Sequence, residues 1–175
     1  MKKKICILII VVVCILTICP IPIKINESIS GIQLAVSNIE EYESVNIKVE
    51  GIFYWKVIKL FGKDEFKGNI SFSNYLFTQK KILEQNQKFE IQYNKVIPMD
   101  YYDKKNVLES KFLGHIGMTW KFQHFAVLVQ SNSLNPKFII AHANNQEEAF
   151  QELKFVEKAY NGLVEYKQLQ SPKSK

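Results

Sequence analysis

The chain has 175 residues, with 23 basic and 17 acidic side chains and a formal net charge of +6. Every basic residue is lysine, and three of them (Lys2, Lys3, Lys4) precede an apolar start, which leaves 20 lysines against 17 acids downstream, a balance of only +3. With no arginine to grip phosphate or guanine in a bidentate way, and with lysines scattered rather than clustered, the composition excludes a nucleic-acid partner from the expected functions.

The apolar start runs from Ile5 to Cys19 and continues through Pro20-Ile21-Pro22-Ile23 without a charge. As a helix, Ile5 to Cys19 reaches about 22 Å. A bilayer core is about 30 Å thick, so the span is complete only if the proline-containing end is included. The expectation is a transmembrane anchor over residues 1–23. A cleaved signal and a lipoprotein signal are the alternatives: Leu16-Thr17-Ile18-Cys19 resembles a lipobox, with Ile18 where a small residue belongs. In each case the lysines stay in the cytoplasm and the rest lies outside, at the cell membrane or secreted if the segment is cut. All three cysteines (Cys6, Cys14, Cys19) sit in this segment, so the downstream domain has no disulfide, thiol nucleophile or zinc knuckle.

About 150 residues remain, enough for one domain with a real core. The 22 aromatic residues (12 Phe, 8 Tyr, 2 Trp) all fall between Tyr42 and Tyr166. Residues 24–44 read as a stalk, because Ile29, Ile32, Leu34 and Val36 are unevenly spaced among Ser, Gly and Asn. Residues 45–168 read as the domain and 169–175 as a disordered tail.

Val45 to Leu60 is the clearest strand, with Ile47 and Val49 alternating and then Phe53-Tyr54-Trp55; Gly51 marks a bulge or a close backbone approach. After a turn at Gly62–Glu65, Gly68 to Phe77 forms the second strand. Lys88–Val96 is the third. Pro98–Asn106 is a polar loop that carries Asp100, Tyr101, Tyr102 and Asp103. Strands around Leu113–Met118, Phe125–Gln130 and Phe138–His142 follow. Asn144-Asn145 caps a helix with Glu147 and Glu148 in its first turn, and Ala149, Leu153, Val156, Tyr160 and Leu163 form one apolar stripe. The fold expected is α+β: an N-terminal transmembrane helix, then a mainly antiparallel sheet of five or six strands with one C-terminal helix packed on it.

Catalytic motifs are missing. His115, His124 and His142 show no HxH or HExxH spacing, and the acids Asp64-Glu65, Asp100 and Asp103 stand in lysine-rich, turn-like contexts where carboxylates are expected to be solvated. No catalytic residue, cofactor or metal is therefore expected. The residues that suggest a binding face are the aromatics Tyr54, Tyr101, Tyr102 and Trp120, against the plainer reading that they belong to the core or lie under the helix.

The pattern Gly51-x-x-Tyr54-Trp55, Asp64-x-Phe66-x-Gly68-x-Ile70, and Ile139-Ile-Ala141 followed by Asn144-Asn-Gln-Glu147-Glu148-Ala149 resembles short exported proteins of Gram-positive bacteria that have a lysine-led apolar start, several strands and one terminal helix. That resemblance implies architecture and location and carries no activity. The function expected is a non-enzymatic, envelope-associated binding module, attached to the membrane through residues 5–23 and holding a protein or cell-wall component. A cell-envelope hydrolase using Asp and His residues, or a membrane-linked regulator, are the alternatives.

Overall fold

The computed structural model describes Ile5, Ile7 and residues 19–58, 63–80, 82–83, 89–93, 95–103, 106–130 and 135–161. Nine strands form one sheet: β1 (Ile21–Ala35), β2 (Asn38–Trp55), β3 (Asp64–Phe72), β4 (Ile82–Leu83), β5 (Phe89–Ile91), β6 (Ile97–Asp103), β7 (Asn106–Met118), β8 (Phe125–Val129) and β9 (Lys137–Ala141). Among the described residues they are accompanied by helix α1 (Leu76–Lys80), helix α2 (Gln146–Tyr160) and a 3₁₀ turn at Trp120–Phe122.

All pairings are antiparallel, and the order β4-β6-β7-β8-β9-β1-β2-β3-β5 brings β9 back against β1. Eight strands thus follow one another around a nearly closed barrel. Its seam lies between β3 and β4, where α1 packs, while β5 extends the β3 edge. Closure answers the problem of exposed sheet edges that an open sheet would carry. An eight-stranded ring leaves an interior that side chains can fill. Phe53, Phe66, Phe72, Phe122, Phe125 and Tyr101 do so here, all at most 1% exposed.

A second core lies outside the barrel. Ala149, Leu153, Val156 and Tyr160 of α2 cover Ile32, Leu34, Ala126, Leu128, Phe138 and Ile140. Strands β8 and β9 are therefore buried on both faces, which is why they read as unbroken apolar runs. The helix begins where its sequence predicts: the Asn145 side chain accepts from Glu148 N at 2.9 Å, and the Glu148 carboxylate accepts from Asn144 N at 2.8 Å. Leu163 and the tail 169–175 lie outside the described residues.

The architecture differs from the sequence expectation in several ways. The sheet has nine strands and curls into a barrel, instead of five or six in an open meander. Among the described residues no helix is long and apolar enough to cross a membrane. The transmembrane reading of residues 1–23 required Ile21–Ile23 to complete the span, yet these residues open β1 and pair with Phe53–Trp55. Proline is tolerated at the start of a strand, so Pro20 and Pro22 do not oppose this. Most of residues 1–18 lie outside the described residues. The expected stalk, 24–44, is β1 and the start of β2, in the middle of the sheet. The expected loop at Pro98–Asn106 holds β6, whose partner is β7. The turn placed at Gly62–Glu65 gives way to strand at Asp64, and the strand expected to reach Phe77 ends at Phe72, before α1. Gly51 is a close approach and not a bulge: it stands in unbroken register opposite Gly68, and a Cβ would meet the Phe66 ring at 2.9 Å.

Candidate functional site

The four aromatics singled out from sequence do not form one face. Tyr101 is fully buried, and its hydroxyl donates to Ile70 O at 2.6 Å. Tyr54 is half-buried on the outer face of β2, with Lys67 Nζ 5.5 Å from its ring. Tyr102 is half-buried on β6, facing Ile82 of β4 and Ser110 of β7 in the ladder. Trp120 alone lies at an exposed site, with 36% of its surface accessible.

Trp120 owes its position to the turn that joins β7 to β8. His124 N donates to Thr119 Oγ1 at 3.0 Å, and Thr119 N donates to His124 O at 2.8 Å, which pinches the turn shut. Within it Lys121 (φ 52°) and Phe122 (φ 60°) both adopt left-handed backbone, a costly geometry for residues with a Cβ. The reversal drives Phe122 into the barrel, where its ring meets Phe66 (4.9 Å) and Phe125 (5.8 Å) edge-on. It leaves Trp120 outside, edge-on to Trp55 at 6.0 Å, with Lys121 Nζ 4.4 Å from the Trp120 ring.

Beside Trp120 an open groove of ≈ 290 Å³ is lined by Tyr93, Thr119, Trp120, Lys154, Phe155 and Lys158. The last three come from the outward side of α2. Phe155 is 58% exposed, and its inner ring face stacks on His124 at 3.9 Å and 15°. His124 is held in turn by Glu152, Nδ1 to Oε2 at 2.7 Å. Lys154 and Lys158 stand one helical turn apart, exposed and without an ion pair among the described residues.

The floor of the groove is tied to the barrel end. The Tyr93 hydroxyl donates to Asp64 Oδ2, and Asp64 Oδ1 accepts from Lys56 N at 2.9 Å. Burial, and then the Asp64 carboxylate, push the Tyr93 phenol well above its ordinary range, so it stays a donor at any physiological pH. Next to it Lys56 Nζ lies 3.7 Å from Glu65 Oε1. Asp64 and Glu65 were expected to be solvated turn acids; they are instead 1% and 9% exposed and lie in a strand. Asp64 is a structural acceptor that fixes the Tyr93 ring.

The other acids and histidines are distributed along different elements. Asp100 is half-buried in β6, and the Asp103 side chain lies outside the described residues. His115 sits in β7 edge-on to Phe112 at 5.2 Å, and His142 follows β9 with Nε2 3.3 Å from Phe122 O. Among the described residues no group of three or more His, Cys, Asp or Glu is placed to hold a metal ion. The sequence reading missed Tyr93, Lys154, Phe155 and Lys158. One signal was present for Phe155: it is an aromatic residue out of phase with the apolar stripe of α2 and is bracketed by two lysines.

What this site offers chemically is ring faces and ammonium groups around an open groove, a combination suited to holding an anionic surface or ligand. No known protein family, no curated protein and no solved structure matches this chain.

Proposed function

We propose that this chain is a non-enzymatic binding module that works outside the cytoplasm, attached at a membrane by its apolar start, and that the groove between α2 and the β7–β8 turn is its working surface. One observation carries the reading: Trp120 and Phe155 are exposed together, beside Lys154 and Lys158 that have no acidic partner among the described residues. A small domain seldom leaves large rings and unpaired cations side by side without a use for them. The described acids close to the groove point the same way. Asp64, Glu65 and Glu152 are each engaged by Tyr93 and Lys56 N, by Lys56 Nζ, and by His124, and so serve as supports.

The test uses the whole chain in mild detergent. Emission from Trp55 and Trp120 is followed while a soluble anionic glycan, an acidic peptide and lipid vesicles are added in turn. At least one of these shifts the emission, and the Trp120→Phe/Phe155→Ala double variant, with unchanged circular dichroism, loses the response about tenfold or more. Turnover of an ester or glycoside panel that disappears in Asp64→Asn, with binding unaffected by the double variant, would replace this reading with a hydrolytic one.

A further inference from the structure

The strand that carries the apolar start into the fold leaves the barrel next to the groove. Ile21, the first residue of β1, is paired with Trp55, and Trp55 touches Trp120 at 6.0 Å. Cys19, the last residue of the apolar run, therefore lies on the groove side of the molecule, two residues from the first rung of the β1–β2 ladder. On that side the exposed apolar groups are Trp120, Phe155 and Val57, the last 43% exposed just past the end of β2. Among the cations there, Lys121, Lys154 and Lys158 have no carboxylate partner among the described residues.

The acids on this side do not cancel those cations. Glu152 is paired with His124, and Glu65 lies near Lys56. Glu157 stands three positions after Lys154 on α2, on a neighbouring part of the helix surface, but forms no ion pair with it among the described residues. Rings at the level of lipid headgroups with lysines among them are the composition of a surface that rests in a membrane interface.

We propose that the occupant of this groove is the anionic headgroup layer of the bilayer to which the chain is attached, so that the barrel lies on the membrane with its β1-entry end down. The inference rests on the binding-module reading and adds the identity of the ligand. Phosphate groups sit against Lys121, Lys154 and Lys158, while Trp120 and Phe155 enter the glycerol level. The opposite end of the barrel, where Gln33, Glu43 and Tyr75 are joined by hydrogen bonds, then faces away from the membrane.

The experiment reconstitutes the whole chain into vesicles of phosphatidylglycerol or phosphatidylcholine whose acyl chains carry bromine, which quenches nearby tryptophan. Flotation reports attachment separately. The expected result is strong quenching in phosphatidylglycerol and several-fold weaker quenching in phosphatidylcholine. In Lys121→Gln/Lys154→Gln/Lys158→Gln, contact of the barrel with the surface weakens by roughly a hundredfold, each lysine counting for a factor of about five, so quenching falls while flotation and circular dichroism are unchanged. The three single variants give graded losses, which guards against a misfolded triple variant. Floating chain with no quenching in either lipid, or with quenching equal in wild type and triple variant, overturns the inference and leaves the module reading in place. Quenching abolished by a soluble anionic glycan or acidic peptide at micromolar concentration assigns the groove to a soluble ligand and also overturns it. Failure of the chain to float with either lipid overturns both readings.

Discussion

Tyr160 shows how one side chain ties the helix to the barrel. Its hydroxyl donates to Ala126 O at 2.5 Å and accepts from Gly117 N at 2.7 Å, so it bridges β7 and β8 from the last turn of α2. Gly117 makes room for the ring; a Cβ there would stand 2.6 Å from Tyr160 Cε2. Tyr160→Phe keeps the ring and strips both backbone groups of their partner, so a loss of about 1–3 kcal/mol in urea unfolding is expected. Gly117→Ala forces the ring out and costs at least as much. The strained β7–β8 turn is expected to tolerate substitution. Lys121→Gly relieves about 1 kcal/mol of left-handed strain, which offsets the extra unfolded-state entropy of glycine, so the urea midpoint stays within error of the parent. Trp120, named among the aromatic candidates in the sequence, is exposed, whereas the burial of Tyr101 was not visible there. The Pro, Asp and Lys residues around Tyr101 read as a loop, and only the pairing of β6 with β7 turns its ring inward.

At the level of elements, α2 was legible and β1 was not, for a physical reason. The helix keeps one neighbour, the outside of the barrel, along its whole length, so its apolar stripe holds a single phase from Ala149 to Tyr160. Strand β1 changes neighbours partway along. Ile25 and Ile29 face the barrel interior, and then Ile32 and Leu34 face α2 on the opposite side. Neither face is apolar throughout, the two-residue period breaks between Ile29 and Ile32, and Gln33 is buried on the inward side, where it donates to Glu43 at 3.0 Å and accepts from Tyr75 at 2.8 Å. The helix start makes its own prediction. Asn145→Ala removes the acceptor for Glu148 N and costs about 1 kcal/mol, read as a lower urea midpoint. The Asn144 N–H holds the Glu148 carboxyl below its ordinary 4.5. A depressed carboxyl pKa contributes stability that is present above pH 4.5 and is lost as pH falls through the lower folded value. Replacing Glu148 by Gln removes that part of the acid dependence, as an acid titration of the unfolding midpoint will show.

For the molecule as a whole, tyrosine burial sets an alkaline limit. Burial raises the phenols of Tyr101 and Tyr160 well above the ordinary 10.0. Burial and then Glu43 push Tyr75 up to about 12; burial and then Asp64 raise Tyr93. The stability these groups confer is intact below pH 10 and is lost as pH rises beyond it, because the unfolded chain releases protons that the folded chain retains. Tyr101 and Tyr160, fully buried, each contribute a slope of about 1.4 kcal/mol per pH unit above pH 10. Tyr75 and Tyr93 contribute less, since water screens half-buried groups. Urea midpoints measured up to pH 11 are expected to fall steeply beyond pH 10, together with a late rise in tyrosinate absorbance, and Tyr101→Phe shallows the fall.

By itself the sequence determined the apolar start, the thiol-free domain behind it, the strands β2, β7, β8 and β9, and the capped terminal helix, because each of these rests on residues near one another in the chain. Only the tertiary structure decided that the sheet closes into a barrel, since closure depends on β9 meeting β1 across more than a hundred residues. The same closure turned the supposed stalk into a central strand. It also brought Tyr93, Trp120 and Phe155 together from three separate segments, and that meeting, which no local pattern encodes, is the candidate site.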